Sequence, residues 1–219
     1  WRGTIAEDDL PSDIVLRLGD AITYYVFANS HILMYPIPAL DGSVDKGQRL
    51  FNFVWYRNYL DGGELDNLMT DVDGELRSVS VPPGAVAKHH VDEMHSTACA
   101  RLPRSIAEVV QRVEQPFLQV VYDIEVPKMR HGRTCLIGDA AFAVRPHAAA
   151  GTAKAAEDAW SLYRHLERSE SLDTALTHWE ADQLALGTSL LSRTRSIGSR
   201  SQTDNNWKPG DPDLIFGLH

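Results

Sequence analysis

The chain has 219 residues, 43% of them apolar and 23% charged, the proportions of a folded globular protein and not of a disordered linker. Its formal charge of -9 repels a polyanion, which excludes a nucleic-acid-binding role built on clustered Lys and Arg. No window approaches the roughly 18 unbroken apolar residues of a membrane helix. Trp1-Arg2-Gly3 has neither the basic region nor the apolar core of a signal peptide, and without an initiator Met it reads as the interior of a longer chain. Cys99 and Cys135 make no disulfide framework, and Cys135 lies in the apolar run Thr134-Cys135-Leu136-Ile137, so a reducing cytoplasm is expected.

Strand patterning comes first. Tyr24-Tyr25-Val26-Phe27 and Ile32-Leu33-Met34-Tyr35 are β-branched or aromatic, and Pro36 and Pro38 punctuate the chain after them. A loop from Asp41-Gly42 to Gln48 leads to a strand over 50–56, with Phe51, Phe53 and Trp55 on one face and Asn52, Val54 and Tyr56 on the other. Asp73-Gly74, between Leu68-Met69-Thr70 and Leu76 to Val81, reads as a hairpin turn, and Pro82-Pro83-Gly84 ends that arm.

Helices are predicted over 86–98 and 104–114, the second presenting Ile106, Val109, Val110 and Val113 on one face. Residues 117–126 and 133–137 read as strands, the latter covered on both faces because it shows no alternation. After a loop over 142–150, a helix over 151–166 places Ala155, Ala159, Leu162 and Leu166 on one stripe. A long helix follows Ser171 and steps through Leu172, Leu176, Trp179, Gln183, Leu186 and Leu190; the polar stretch 202–212 is a loop. This order predicts an α+β chain, with an antiparallel sheet and helices over 1–128, a piece of a parallel α/β domain over 129–168, and a helix and tail over 169–219.

The chemistry concentrates in 134–160. A buried strand delivers Gly138-Asp139 to its carboxyl end, where ligands bind in open α/β sheets. Glycine admits a ligand close to the backbone, and Asp accepts hydrogen bonds from ligand hydroxyls. Pro146 sets the loop direction, and Ala148-Ala149-Ala150-Gly151 offers a side-chain-poor helix start whose free amides favour an electron-rich group. On spacing alone, an ordinary strand-end turn followed by a tight helix contact remains equally open.

The run Gly138-Asp139-Ala140-Ala141-Phe142-Ala143-Val144-Arg145-Pro146-His147, continuing through Gly151-Thr152-Ala153-Lys154 to Glu157-Asp158-Ala159, resembles the second FAD fingerprint of the aromatic hydroxylases related to p-hydroxybenzoate hydroxylase. Trp1-Arg2-Gly3, His31, Tyr35-Pro36-Ile37 and 52–55 resemble that family's middle motif and substrate-binding sheet. The resemblance covers nearly the whole chain. It implies a substrate-binding module over 1–128, the returning strand and helices of a Rossmann-like FAD-binding domain over 129–168, and a partner in the amino-terminal half of the same protein, since no G-x-G-x-x-G is present. It puts Gly138 and Asp139 at the ribityl chain of FAD, Pro146 beside the ring, and Ala149, Ala150, Gly151, Thr152 and Ala153 at the helix start facing the pyrimidine edge. The family commonly has His, Gln and Asn where this chain has Phe142, Ala150 and Ala153, so contacts at the last two positions pass from side chain to backbone. Arg145-Pro146-His147, Pro127-Lys128-Met129 and Gly132-Arg133 resemble the branch acting on 2,6-dihydroxypyridine.

The resemblance implies a monooxygenase in which NADH or NADPH reduces FAD and O2 adds to give a C4a-hydroperoxide, whose distal OH passes to an electron-rich hydroxylated aromatic or N-heterocyclic ring. A ring activated as its phenolate needs a proton acceptor, for which His147, adjoining Pro146, and His31, on the presumed substrate sheet, are the candidates. Either is also read as an ordinary hydrogen-bonded histidine. Tyr35, Phe53 and Trp55 are candidate substrate walls, or core. Arg145 pairs an anionic substrate or a nearby carboxylate. A related FAD oxidase or halogenase, or a non-enzymatic α+β binding module, are the competing readings. His89, His90 and His95 lack metal-ligand spacing, so no metal is expected. The long final helix is a candidate homodimer surface.

Overall fold

The alternating segments form a sheet. In the computed structural model, which describes residues 1–218, β1 (Arg2–Ala6), β2 (Thr23–Phe27), β3 (Ser30–Ile37) and β4 (Leu50–Arg57) are antiparallel in the order β1-β4-β3-β2. Phe27 faces Ser30, so β2 and β3 are joined by two residues, and Asn29 takes the left-handed turn conformation at φ 58° that Asn tolerates best after Gly. Pro36 is accommodated because it lies past the end of β2, where no ladder bond is needed on that edge.

Period-two alternation divides the sheet into two faces. Ile32, Met34, Phe51, Phe53 and Trp55 are 0–1% exposed and share one core with helices α1 (Ser12–Leu18), α2 (Gly63–Met69), α3 (Lys88–Arg101) and α4 (Arg104–Arg112). Each such aromatic or aliphatic side chain contributes about 1.5–3 kcal/mol on burial. Helix α4 buries Ile106, Val109 and Val110, the face its spacing predicts. The opposite face of the sheet carries His31, Tyr35, Asn52 and Tyr56.

Three predicted elements differ. Leu68 and Met69 close α2 instead of forming a hairpin arm, because Leu65, Leu68 and Met69 at helical spacing pack against the core. The turn at Gly74 (φ 79°) survives, and Asp71 organises it by accepting from the amides of Asp73 and Glu75 while pairing with Arg77. Of 117–126, β6 (Leu118–Gln119) is laddered against β5 (Ser80–Val81), Phe117 makes an isolated antiparallel bridge with Arg2, and the remainder forms no strand. Of 133–137 only β8 (Thr134–Cys135) is laddered, against β7 (Arg130–His131), and Ile137 is 42% exposed. A parallel-sheet strand takes its ladder from neighbours on both edges, and the described residues provide only the antiparallel β7 there.

The chain separates into two compact units, Trp1–Val120 and a second beginning at Val121. The second takes in both segments that the sequence reading parted at 168. It is built on α5 (Gly151–Arg168) and the 31-residue α6 (Leu172–Gln202), which starts where Ser171 Oγ accepts from the Thr174 amide. Helix α5 buries Lys154, Asp158 and Ser161, whereas Leu166 is 46% exposed and Ala159 is exposed. Of the expected apolar stripe, Ala155 and Leu162 are half-buried, Leu162 against the cluster of Met129, Phe142 and Trp179, while the fully buried positions are polar. Helix α6 buries Leu176, Trp179, Gln183 and Leu190 as predicted, but leaves Leu172 44% exposed. Among the described residues no helix is long and apolar enough to cross a membrane.

Candidate functional site

Within the second unit, extended backbone at Ile137 leads into a single 3-10 turn, Gly138–Ala140. Gly138 sits at φ 57°, and a Cβ there would meet Ala155 Cβ at 3.1 Å, so both conformation and space demand glycine. Its amide donates to Asp158 Oδ2 at 2.8 Å, tying the turn to α5. Asp158 Oδ1 is paired with Lys154 Nζ, and both side chains are 0–1% exposed. Lys154 Nζ also lies 5.3 Å from the centre of the Phe142 ring, and Trp179 Nε1 donates to the Asp158 carbonyl at 2.9 Å. This network leaves Asp139 and Ala140 exposed while Gly138 is held beneath them.

The loop that follows makes a second 3-10 turn, Pro146–Ala148, then passes through Ala149 in the left-handed region (φ 52°, ψ 36°) into α5. Ala150 occupies the cap position of α5 and has no side-chain oxygen to offer its first-turn amides. A Cβ on Gly151 would meet nothing within 4 Å, and Thr152 and Ala153 are exposed. An uncapped helix start with open space beside it and an exposed carboxylate on the adjacent turn fits an anionic ring edge with a polyhydroxyl chain. Gly138, Asp139, Pro146, Ala149, Gly151, Thr152 and Ala153 therefore lie on one turn–loop–helix segment; Ala150 contributes only backbone, its methyl being 1% exposed.

His147 does not serve this surface. It is 6% exposed, its Nε2 is 2.8 Å from Gln202 Oε1, and its ring lies 3.1 Å from the position of a Cβ on Gly198 of α6. Burial, opposed by the Gln202 bond, pushes its pKa down to about 4, so the ring is neutral near pH 7. His147 anchors the loop; the expectation of a proton acceptor beside the ring is corrected. Arg145 takes the plainer of its two readings. It binds Asp123 through its backbone amide and guanidinium, and Arg195 shares the same carboxylate. Burial alone would raise Asp123, but the two arginines outweigh it and hold it at about 2.

On the sheet unit, Phe53 and Trp55 face the core at 0% and 1% exposure, with no surface left for a ligand, so their reading as substrate walls is also corrected. Sequence periodicity places them on one face without saying which face is covered. The other face brings together His31, stacked on Tyr56 at 4.2 Å and 15°, with Asn52 and Tyr35 facing each other across β4 and β3. Burial holds the Tyr56 phenol well above its ordinary pKa, so it stays a donor. Asn52 is 4% exposed and its Nδ2 has no hydrogen-bond partner. Tyr56 and Asn52 were not singled out from sequence; the signal was their alternation with Phe51, Phe53 and Trp55. The Lys154–Asp158 pair was likewise readable as opposite charges at i,i+4. Among the described residues no group of three or more His, Cys, Asp or Glu is placed to hold a metal.

A sheet module followed by a Gly-Asp turn and an uncapped helix start fits the carboxyl-side part of a flavoprotein fold. Residues 1–123 match the FAD binding domain-like family and residues 79–192 the FAD binding domain family, so the chain belongs to the FAD-binding domain proteins. It is 37% identical over 218 residues to 2,6-dihydroxypyridine 3-monooxygenase of Paenarthrobacter nicotinovorans, matching 100% of this chain and 54% of that protein. The solved 2,6-dihydroxypyridine-3-hydroxylase from Arthrobacter nicotinovorans superposes with a TM-score of 0.90 over 99% of this chain and 54% of that one, at 36% identity. A salicylate hydroxylase substrate complex shares the fold at a TM-score of 0.66 and 20% identity, over 97% of this chain and 49% of that one. The chain spans about half the length of these relatives.

Proposed function

We propose that this chain is the carboxyl-side part of an FAD-dependent monooxygenase that hydroxylates an electron-rich hydroxylated N-heterocycle of the 2,6-dihydroxypyridine class. NADH or NADPH would be the hydride donor and O2 the co-substrate, in a cytoplasmic setting. The observation that carries the reading is the uncapped start of α5 beside the exposed Asp139 turn. Its likeness to 2,6-dihydroxypyridine 3-monooxygenase, at 37% identity, supports the substrate class.

When bound, FAD supplies the redox and oxygen chemistry; the protein binds, orients and manages protons. Asp139 would accept from the ribityl hydroxyls, and the Gly151, Thr152 and Ala153 amides would face the ring carbonyl edge. Negative charge on that edge gains about 0.3–1 kcal/mol from a helix amino terminus, more when buried. On the sheet, Tyr56 holds the His31 ring by stacking, but at 4% exposure His31 is as buried as His147, so within this chain neither histidine stands open as an acceptor for a substrate hydroxyl proton. Asn52 Nδ2 offers a donor to a ring oxygen, and Tyr35, opposite it, a wall.

The test uses the full-length protein. Bound FAD, substrate-stimulated NADH or NADPH oxidation and a trihydroxypyridine product by mass spectrometry are expected with 2,6-dihydroxypyridine. Asp139→Ala should lower flavin content at least tenfold. Unchanged flavin content and activity in that variant would favour a purely structural turn, and a non-hydroxylated product would favour a related oxidase.

A further inference from the structure

The loop that carries Pro146 into α5 contains a costly residue. Ala149 lies in the left-handed region at φ 52°, which burdens an L-residue with about 1–2 kcal/mol. Local sequence offers no relief, since neither glycine nor asparagine stands there. The compensating contacts come from the far end of the chain. The Gly217 amide donates to the Ala148 carbonyl at 2.7 Å, one residue before the strained position. Arg193 of α6 holds Gly217 in place, its NH2 group donating to the Gly217 carbonyl at 2.5 Å and the Leu218 carbonyl at 3.0 Å. Leu214 and Leu218 pack on the cluster of Ala148, Ala150, Leu190 and Ile197.

The tail is itself fastened to the end of α6. Arg200 pairs with Asp211 at 2.8 Å and Asp213 at 3.1 Å, and accepts on its carbonyl the amides of Asn206 and Trp207. Segment 203–218 thus runs as a strap from the end of α6 back to the loop at Ala148.

We infer that Arg193 is a positioning residue for the flavin. Through Gly217 it holds Ala148 and the left-handed Ala149 so that the first-turn amides of α5 stand ready for the ring edge. The inference rests on the flavin reading of the α5 start. Because the loop pays its strain through contacts from the tail, releasing the tail lets Ala149 relax and turns the amides away. Binding then has to restore their order, which lowers affinity without removing any flavin contact.

The experiment is flavin titration of the full-length apoprotein, with the flavin absorbance spectrum and two-electron midpoint potential recorded on the bound form. Arg193→Ala and, separately, Gly217→Pro, which removes the amide donor and releases the tail backbone because proline cannot adopt the φ of 85° there, should each weaken FAD binding about tenfold or more. Both should shift the bound-flavin spectrum and potential. Arg193→Lys, keeping a cationic donor, should recover part of the loss. Val109→Ala, a core truncation in the sheet unit, should leave the bound-flavin spectrum and potential as in wild type. Binding within twofold of wild type in both tail variants overturns the inference. So does an equal loss in Val109→Ala, which would make the effect one of general stability. Failure of the wild-type protein to bind FAD sinks the flavin reading itself and is distinguishable from either result.

Discussion

Replacing Lys154 with Met isolates the interaction on which the Gly-Asp turn depends. Lys154 and Asp158 are 1% and 0% exposed, so removing the cation leaves a carboxylate buried with the Gly138 amide as its remaining hydrogen-bond donor. Breaking a buried pair from one side costs about 3–5 kcal/mol. The ammonium over Phe142 adds about 0.5–2 kcal/mol. Met recovers part of this by filling the same volume, on the order of 1–2 kcal/mol. The net expectation is a loss of about 3 kcal/mol, read by urea unfolding of the full-length protein at pH 7. The double variant Lys154→Met/Asp158→Asn, which buries no charge, should recover more than half of the loss, because replacing both partners avoids the stranded ion. If Lys154→Met unfolds within about 1 kcal/mol of wild type, or the second substitution adds to the damage, the pair is not what holds the turn.

Gly187→Ala on α6 should destabilise by about 1–3 kcal/mol although alanine is the better helix former, because its Cβ would come within 2.6 Å of the buried Phe142 ring; a gain in thermal midpoint would refute the contact. Phe53→Ala should cost about 3–5 kcal/mol in chemical denaturation, as a truncation in a fully buried site; a loss below about 1 kcal/mol would return Phe53 to the role of an accessible wall. His147 binds its proton more weakly folded, at about 4, than its ordinary 6.5. Its contribution is therefore complete above pH 6.5 and lost as pH falls toward 4, an effect of about 3 kcal/mol at most. His147→Gln should flatten that limb of the urea stability profile, and an unchanged slope would exclude His147 as its source.

The sheet was legible because its information is local. Alternation in 50–56 with aromatic and β-branched residues fixes a strand and two faces, and the same logic finds β2 and β3. Which face is covered is not local: Phe53 and Trp55 share one core with buried residues of α1, α3 and α4 from elsewhere in the chain, which turned two candidate walls into core. Residues 133–137 show the opposite failure. Their apolar run has the composition of a central strand, but a strand is completed by its neighbours, and among the described residues only β7 pairs with it. On α5 a hydropathy stripe pointed to Ala159 and Leu166, whereas the buried stripe is Lys154, Asp158 and Ser161. Hydropathy scores each charge alone and cannot register that two opposite charges at i,i+4 satisfy each other.

The same distinction explains the site. Under the flavin reading proposed above, the motif 138–153 supplies the backbone that would receive the ring, and alanine at 150 and 153 leaves no polar side chain there to contact it. The cap position without a side-chain acceptor agrees with that shift toward backbone recognition. A backbone site is only as good as the support that fixes it, and here the support is distant in sequence. Asp158 holds the Gly138 amide across 20 residues, Gln202 holds His147 across 55, and Gly217 meets the Ala148 carbonyl from the tail. His147 adjoins Pro146 in sequence, yet Gly198 opens the gap that draws its ring onto α6. Removing side chains from the contact surface therefore moves specificity into residues that never touch the ligand, so substitutions at Lys154, His147 and Arg193 should change flavin binding as strongly as substitutions on the motif itself.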